Sequence, residues 1–141
     1  MDERWQVRSH TPGRGRSAAL PQESGVELFT DRVSAGVERA LDGVAEQQRT
    51  TAANIANAST PGYRAQSVSF QDSLMAAMSD GDDPRGAAIT TADAGTPADV
   101  NGNTVQLDKE VVDQQREGLQ YQALAQAMTF KLGLWQKALG K

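Results

Sequence analysis

Few residues in this chain can do chemistry, and their placement works against it. His10 is the single histidine, and there is no cysteine. One histidine outside any periodic segment excludes a multi-histidine metal centre and leaves no histidine base for a serine nucleophile. Without thiols there are no disulfides and no thiolate metal sites. Asp82-Asp83 is the nearest approach to a general acid/base pair. It sits among Gly, Pro and Asp, where nothing apolar desolvates a carboxyl and tunes its pKa. The same stretch, "DGDDPRG", has the acidity of a calcium loop. Such a loop needs an acidic or amide residue at its fifth position and glycine at its sixth, where this chain has Pro84 and Arg85. Asn57-Ala58-Ser59 formally matches a glycosylation acceptor, and no glycine loop leads into Lys-Ser/Thr to cradle a phosphate. The inventory therefore points away from an enzyme and from any cofactor, metal or small-molecule substrate.

What remains is positioning. The 141 residues fit one domain, or one domain with a tail. Only 38% are hydrophobic, aromatic residues are limited to three Phe, two Tyr and two Trp, and alanine supplies much of the apolar count. That composition favours thin helical packing over a thick globule. Fourteen basic against eighteen acidic residues give a net charge of −4, which lacks the clustered basic face of a nucleic-acid binder. No apolar run approaches the roughly 20 residues needed to cross a bilayer.

Residues 1–25 are rich in Arg, Pro, Gly and Ser without helical or strand period, and read as a disordered tail. The charge of its "GRGR" is nearly cancelled by Asp2, Glu3 and Glu23, and the tail has no apolar h-region, so no cleavable secretory signal is expected. Residues 26–58 predict the first long helix. Phe29, Val33, Val37, Leu41, Val44, Gln48, Thr51 and Ile55 recur at steps of three or four, and from Val37 the steps form a heptad seam. Gly36 and Gly43 each lower helix propensity by about 1 kcal/mol relative to alanine, so packing has to hold this helix. Residues 59–78 read as a turn followed by a short extended and then helical piece, and 79–103 as a flexible linker. Residues 104–141 predict the second long helix, capped by Asp108 with Leu107 stapled onto Val112. One apolar stripe there runs Val111, Gln114, Gly118, Tyr121, Ala125, Met128, Leu132, Trp135, Leu139. A second runs Val112, Leu119, Ala123, Phe130, Leu134. Together they are wider than one partner helix covers.

The fold expected is all-α. Two long terminal helices pair as an antiparallel coiled-coil-like hairpin around an irregular or disordered middle segment. The expected packing residues are Val37, Leu41 and Val44 on the first helix and Leu119, Tyr121, Met128, Phe130, Leu132, Leu134 and Trp135 on the second.

The first helix has a particular ending. Asn54 and Asn57 are i, i+3 neighbours in its last turn, where carbonyls lack intrahelical partners. Their amides can bond those carbonyls or reach another chain. Thr60-Pro61-Gly62-Tyr63 fits a type II turn, with proline fixing the first central φ and glycine accepting the positive one. A plain helix cap explains one asparagine, but not two and a tyrosine after the turn.

The stretch "ANIANASTPGY", Ala53 to Tyr63, closely resembles the motif near the N-termini of bacterial flagellar rod and hook proteins. The C-terminal run from Asn103 to Leu139 resembles the proximal-rod members of that family in "LDKE", in "YQAL" leading to a phenylalanine, and in the "LGLW" ending. The resemblance covers about 26–70 and 103–139 and is weakest in the linker. It implies a non-enzymatic axial component of the flagellar basal body, a proximal rod subunit in the hollow tube that transmits motor rotation. It also implies export through the flagellar type III apparatus without a cleaved signal. The implied partners are other rod proteins, the rod–ring adaptor and the membrane ring, with self-association in a helical tube. Carried over by position, the assembly motif is Asn54, Ile55, Ala56, Asn57, Thr60, Pro61, Gly62 and Tyr63.

Members of that family usually begin only a few residues before the first helix. Two expectations follow for residues 1–25: either Val26 is the true start, some bacterial start codons otherwise encoding valine, or the tail is an extended export signal. Two helices with more apolar surface than they can cover mutually are expected to associate head to tail, and their ends to order only on assembly. The competing reading is a small helical-hairpin binding module such as an export chaperone or secreted adaptor. It would form a closed oligomer and tolerate changes at Pro61-Gly62-Tyr63.

Overall fold

The computed structural model describes residues 23–138 and residue 140; the expected tail lies, as far as residue 22, outside them. Helix α1 spans Glu23–Ala56, strand β1 Gln66–Ser69, helix α2 Gln71–Asp80, strand β2 Thr90–Asp93 and helix α3 Leu107–Ala138, with one 3₁₀ turn at Pro84–Gly86. No proline falls inside the long helices, and each runs for more than thirty residues. Asp108, read from the sequence as a cap, lies inside the first turn of α3 beside Glu110, where both carboxylates favour the helix dipole. The Glu110 amide donates to the Gln106 carbonyl at 3.0 Å, so the helix opens before Asp108. Leu107 and Val112, expected to staple that end, are both exposed.

The chain is mostly helical but not all-α. β1 and β2 form a two-stranded antiparallel sheet with Gln66 opposite Asp93 and Ser69 opposite Thr90. Half of this sheet comes from the stretch expected to be a linker. Two arginines a heptad apart on α1 tie that middle segment down. The Arg32 guanidinium donates to the carbonyls of Ala77 and Asp82 at 3.2 and 3.1 Å, and Arg39 Nε to that of Ala87 at 2.8 Å. The Gln47 amide adds a bond to the Val68 carbonyl of β1 at 3.2 Å. Polar anchors of this kind leave no apolar period to read, which is why the segment looks like a loop in sequence.

The core is thin and built mostly of small side chains: Ala35, Val44, Ala65, Phe70, Pro84 and Ala87 are its buried apolar residues among those described. The helix-weakening Gly43 has a packing reason. A Cβ there would lie 2.5 Å from the Phe70 ring, so only glycine lets the aromatic sit against α1.

Helix α3 touches α1 in opposite chain order. Glu110 meets Asn54, Glu117 meets Thr51, and Lys131 bonds the Ser34 hydroxyl. The inward face of α3 carries buried Glu110 and Glu117 and half-buried Asp113, Leu124, Met128 and Lys131. It is displaced by about one residue from the apolar stripe at Val111, Gly118, Ala125 and Leu132. In sequence a carboxylate marks the outward side of a helix, and here two of them point in.

Candidate assembly site

The ending of α1, the turn after it, the loop before α3 and the first turns of α3 converge at one end of the molecule. Asn54 is at their centre and is 1% exposed. Its Nδ2 donates to the Gln66 carbonyl at 2.8 Å and to Glu110 Oε2 at 3.1 Å. Its Oδ1 accepts from the Gln66 amide at 3.0 Å and from the Tyr63 hydroxyl at 3.4 Å. Those four bonds use both donors and both lone pairs of the amide. Asn54 therefore serves neither the helix carbonyls nor another chain: it holds the start of β1 as a neighbouring strand would.

Asn57 does serve the helix end. Its Nδ2 donates to the Ala53 carbonyl at 2.8 Å, and its Oδ1 accepts from the Thr60 hydroxyl at 3.2 Å. Thr60 to Tyr63 make the turn expected of them. The Tyr63 amide donates to the Thr60 carbonyl at 3.2 Å, and Gly62 has φ +71°. Ile55 is half-buried, while Ala56, Thr60, Pro61 and Gly62 are exposed and Tyr63 is half-buried.

Two further residues position this ending: Asn103, the last of the supposed linker, and Thr104, which reads in sequence as the start of the second long helix but precedes it. Buried Asn103 donates through Nδ2 to the carbonyls of Asn57, Ala58 and Thr60 at 2.9, 3.2 and 2.8 Å, sharing two protons among three acceptors. Thr104 accepts the Ala65 amide on its hydroxyl at 2.8 Å and donates its own amide to the Tyr63 carbonyl at 3.0 Å. The Asp99 carboxylate in turn accepts the amides of Asn101 and Asn103, and the Asn101 carbonyl accepts the Gly62 amide at 2.9 Å. The signal for this loop is the "DVNGN" run, an aspartate followed by amides that close Asx turns. On the surface nearby, Arg64 pairs with Asp93 at 2.5 Å. The Arg64 hydrogen bond, helped by the Gly95 amide, holds the Asp93 carboxyl below its ordinary range.

A polar cleft of about 130 Å³ opens beside Asn54, between α1, β1 and α3. Glu117 lines it, 5% exposed, with Oε1 accepting from the Thr51 hydroxyl at 3.0 Å and Oε2 without a partner. Burial pushes its carboxyl above the ordinary glutamate range. The Thr51 bond opposes that shift, and the neighbouring Asp113 carboxylate adds to it.

Of the expected packing residues, Val44 is fully buried and Val37, Leu41 and Met128 are half-buried. Leu119, Tyr121, Phe130, Leu132 and Leu134 are all exposed, Leu119 at 68% and Phe130 at 71%. By helical spacing Leu119, Phe130 and Leu134 lie on the outer side of α3, whereas Tyr121 and Leu132 flank its inward face. The Trp135 side chain lies outside the described residues, as does His10. Asp82 and Asp83 are exposed, and Asp83 caps the 3₁₀ turn by accepting the Arg85 amide at 3.0 Å. Among the described residues no group of three or more His, Cys, Asp or Glu is arranged for a metal ion, and no helix is long and apolar enough to cross a membrane.

Comparison with known proteins places this end of the molecule in a context. The family described as "Flagella basal body rod protein" matches residues 38–64, the second half of α1 through the turn. The flagellar basal body rod protein FlgB of Bacillus subtilis is 32% identical over 123 residues, spanning 75% of this chain and 91% of the relative. FlgB of Escherichia coli is 33% identical over 112 residues, 65% of this chain and 81% of the relative. FlgB of Salmonella typhimurium is 33% identical over 115 residues, 65% of this chain and 83% of the relative.

Proposed function

The chain belongs to the FlgB family of flagellar basal body rod proteins, a structural subunit of that rod, and from that premise we propose how its parts serve assembly. The long helices α1 and α3 act as an antiparallel coiled-coil-like hairpin. The Asn54–Tyr63 ending, locked by Asn103 and Thr104, fixes the angle at which the chain leaves it. Its neighbours are other rod subunits, the rod–ring adaptor and the membrane ring, reached after type III export without a cleaved signal. The role is one of building, not of catalysis.

The observation that carries this reading is the outer side of α3. Large apolar side chains there, at Leu119, Phe130 and Leu134, are more than half exposed, while the side facing α1 holds buried carboxylates. Several large apolar side chains left exposed on the helix side away from the subunit's own packing mark a protein contact. Contacts between different faces of identical or similar subunits propagate into a helical tube when they do not close.

Deleting the gene and imaging purified basal bodies tests the reading. Membrane rings without a rod are expected. Intact rods in the deletion strain would overturn it.

A further inference from the structure

Glu117 is buried at a helix seam with half of its carboxylate unserved. Thr51 donates to Oε1 at 3.0 Å, while Oε2 has no hydrogen-bond partner. An ionised carboxylate needs donors on both oxygens, and a buried charge without them is far costlier than a neutral acid in the same place. The surroundings deepen the preference. Among the described residues, neither α1 nor β1 lines the cleft with an ionisable group. Its charges come from α3, as Lys109, Glu110, Asp113 and Arg116. Both cations are engaged by Asp113, at 2.6 and 2.8 Å, and Glu110 is itself a carboxylate.

We infer that Glu117 is a proton-operated latch between α1 and α3, closed on Thr51 as the neutral acid and released when it ionises. In the closed form Oε2 carries the proton and Oε1 accepts the Thr51 hydrogen. On ionisation the proton leaves to water. The charge then favours the state in which the α3 turn bearing Glu117 separates from Thr51 and reaches solvent. Asn54 and Glu110, two helical turns toward the start of α3, are the next contact to feel that separation. The carboxyl is pushed upward by burial, so the sign is fixed. The contribution to stability is complete below the ordinary glutamate value and is lost as pH rises through the raised one.

The test uses the full chain in solution. The Glu117 side-chain carboxyl is followed by carbon NMR across a pH titration, and thermal melting is measured in parallel for the wild type and for Glu117→Gln. The carboxyl is expected to titrate above a solvent glutamate, and above it by more in Thr51→Val, which removes the bond that favours the charged form. Glu117→Gln keeps the shape of the neutral acid. Its melting temperature is expected to exceed the wild type's increasingly as pH rises through the Glu117 midpoint, with the two converging in acid. A Glu117 titration at the ordinary position, or melting profiles that stay parallel across the range, would overturn the latch.

Discussion

The side-chain amide of Asn54 pairs with the backbone of Gln66 in both directions, Nδ2 to the carbonyl at 2.8 Å and the Gln66 amide to Oδ1 at 3.0 Å. One side chain of α1 thus replaces a strand at the inner edge of the sheet. It joins the helix ending to the ladder that Gln66 forms with Asp93. The same amide reaches Glu110 on α3, so three elements meet at one side chain.

Removing that hub is expected to be costly for its size. Asn54→Ala leaves the Gln66 amide and carbonyl and the Glu110 carboxylate short of partners in a buried site. Each unmet group costs about 1–3 kcal/mol, so a total loss on the order of 3 kcal/mol is expected. Asn54→Asp should be worse, because it removes both donors and sets a carboxylate against Glu110. Urea unfolding midpoints of the two variants and the wild type check the order.

Gly43 offers a sharper steric test. Alanine there gains about 1 kcal/mol of helix propensity but sets a Cβ 2.5 Å from the Phe70 ring. Overpacking of that kind costs about 1–3 kcal/mol, and the ring, 3% exposed, has little room to yield. Gly43→Ala is therefore expected to destabilise, against the usual trend for this change in a helix. Gly43→Ala combined with Phe70→Leu should recover part of the loss. Additive losses in the double-mutant cycle would show that the two positions do not meet.

These two positions also show what a sequence can disclose. The long helices are legible because Val37, Leu41 and Val44 repeat at helical spacing over a proline-free run, and the Thr60–Tyr63 turn is legible because its dihedral requirements are local. Gly43 is visible only as a weakness, since its partner Phe70 lies beyond the turn. The β1–β2 pairing escapes because strands of four residues carry almost no period and their register is set by distant anchors such as Gln47 and Asn54. Asn103 and Thr104 escape for a related reason: their partners lie more than thirty residues back. The inward face of α3 is misplaced by one residue because buried Glu110 and Glu117 look, in sequence, like the solvent side of a helix.

Gly62 separates conformation from contact. Its φ is +71°, and a Cβ there would meet nothing within 4 Å. Any penalty for a side chain is thus conformational. Gly62→Val places a β-branched residue in the left-handed region at a cost of about 1–2 kcal/mol or more and strains the bond from its amide to Asn101. Gly62→Asn, whose side chain tolerates that region, is the control. In a complemented deletion strain, Gly62→Val is expected to be exported near wild-type level but to support little swimming, and Gly62→Asn to support most of it. Normal motility with Gly62→Val would remove the turn from the assembly mechanism.

The outer side of α3 makes the complementary prediction, strong on assembly and weak on the single chain. Phe130 and Leu134 lie four residues apart and are 71% and 52% exposed. Replacing them with serine therefore removes little burial from the isolated subunit. Exposed substitutions away from buried networks usually change stability by about 0.5 kcal/mol or less, and the melting temperature of Phe130→Ser, Leu134→Ser should stay close to wild type. If this side is buried by a neighbouring subunit, the same changes give up about 25 cal/mol for each Å² of apolar contact at every copy around the tube, and the loss multiplies along the structure. Export without incorporation into rods, scored by immunoblotting of purified basal bodies, is the expected result. Rods formed at wild-type yield would show that this face stays open in the assembly and that the contacts are made elsewhere. A large drop in melting temperature would instead place Phe130 and Leu134 in the subunit's own packing.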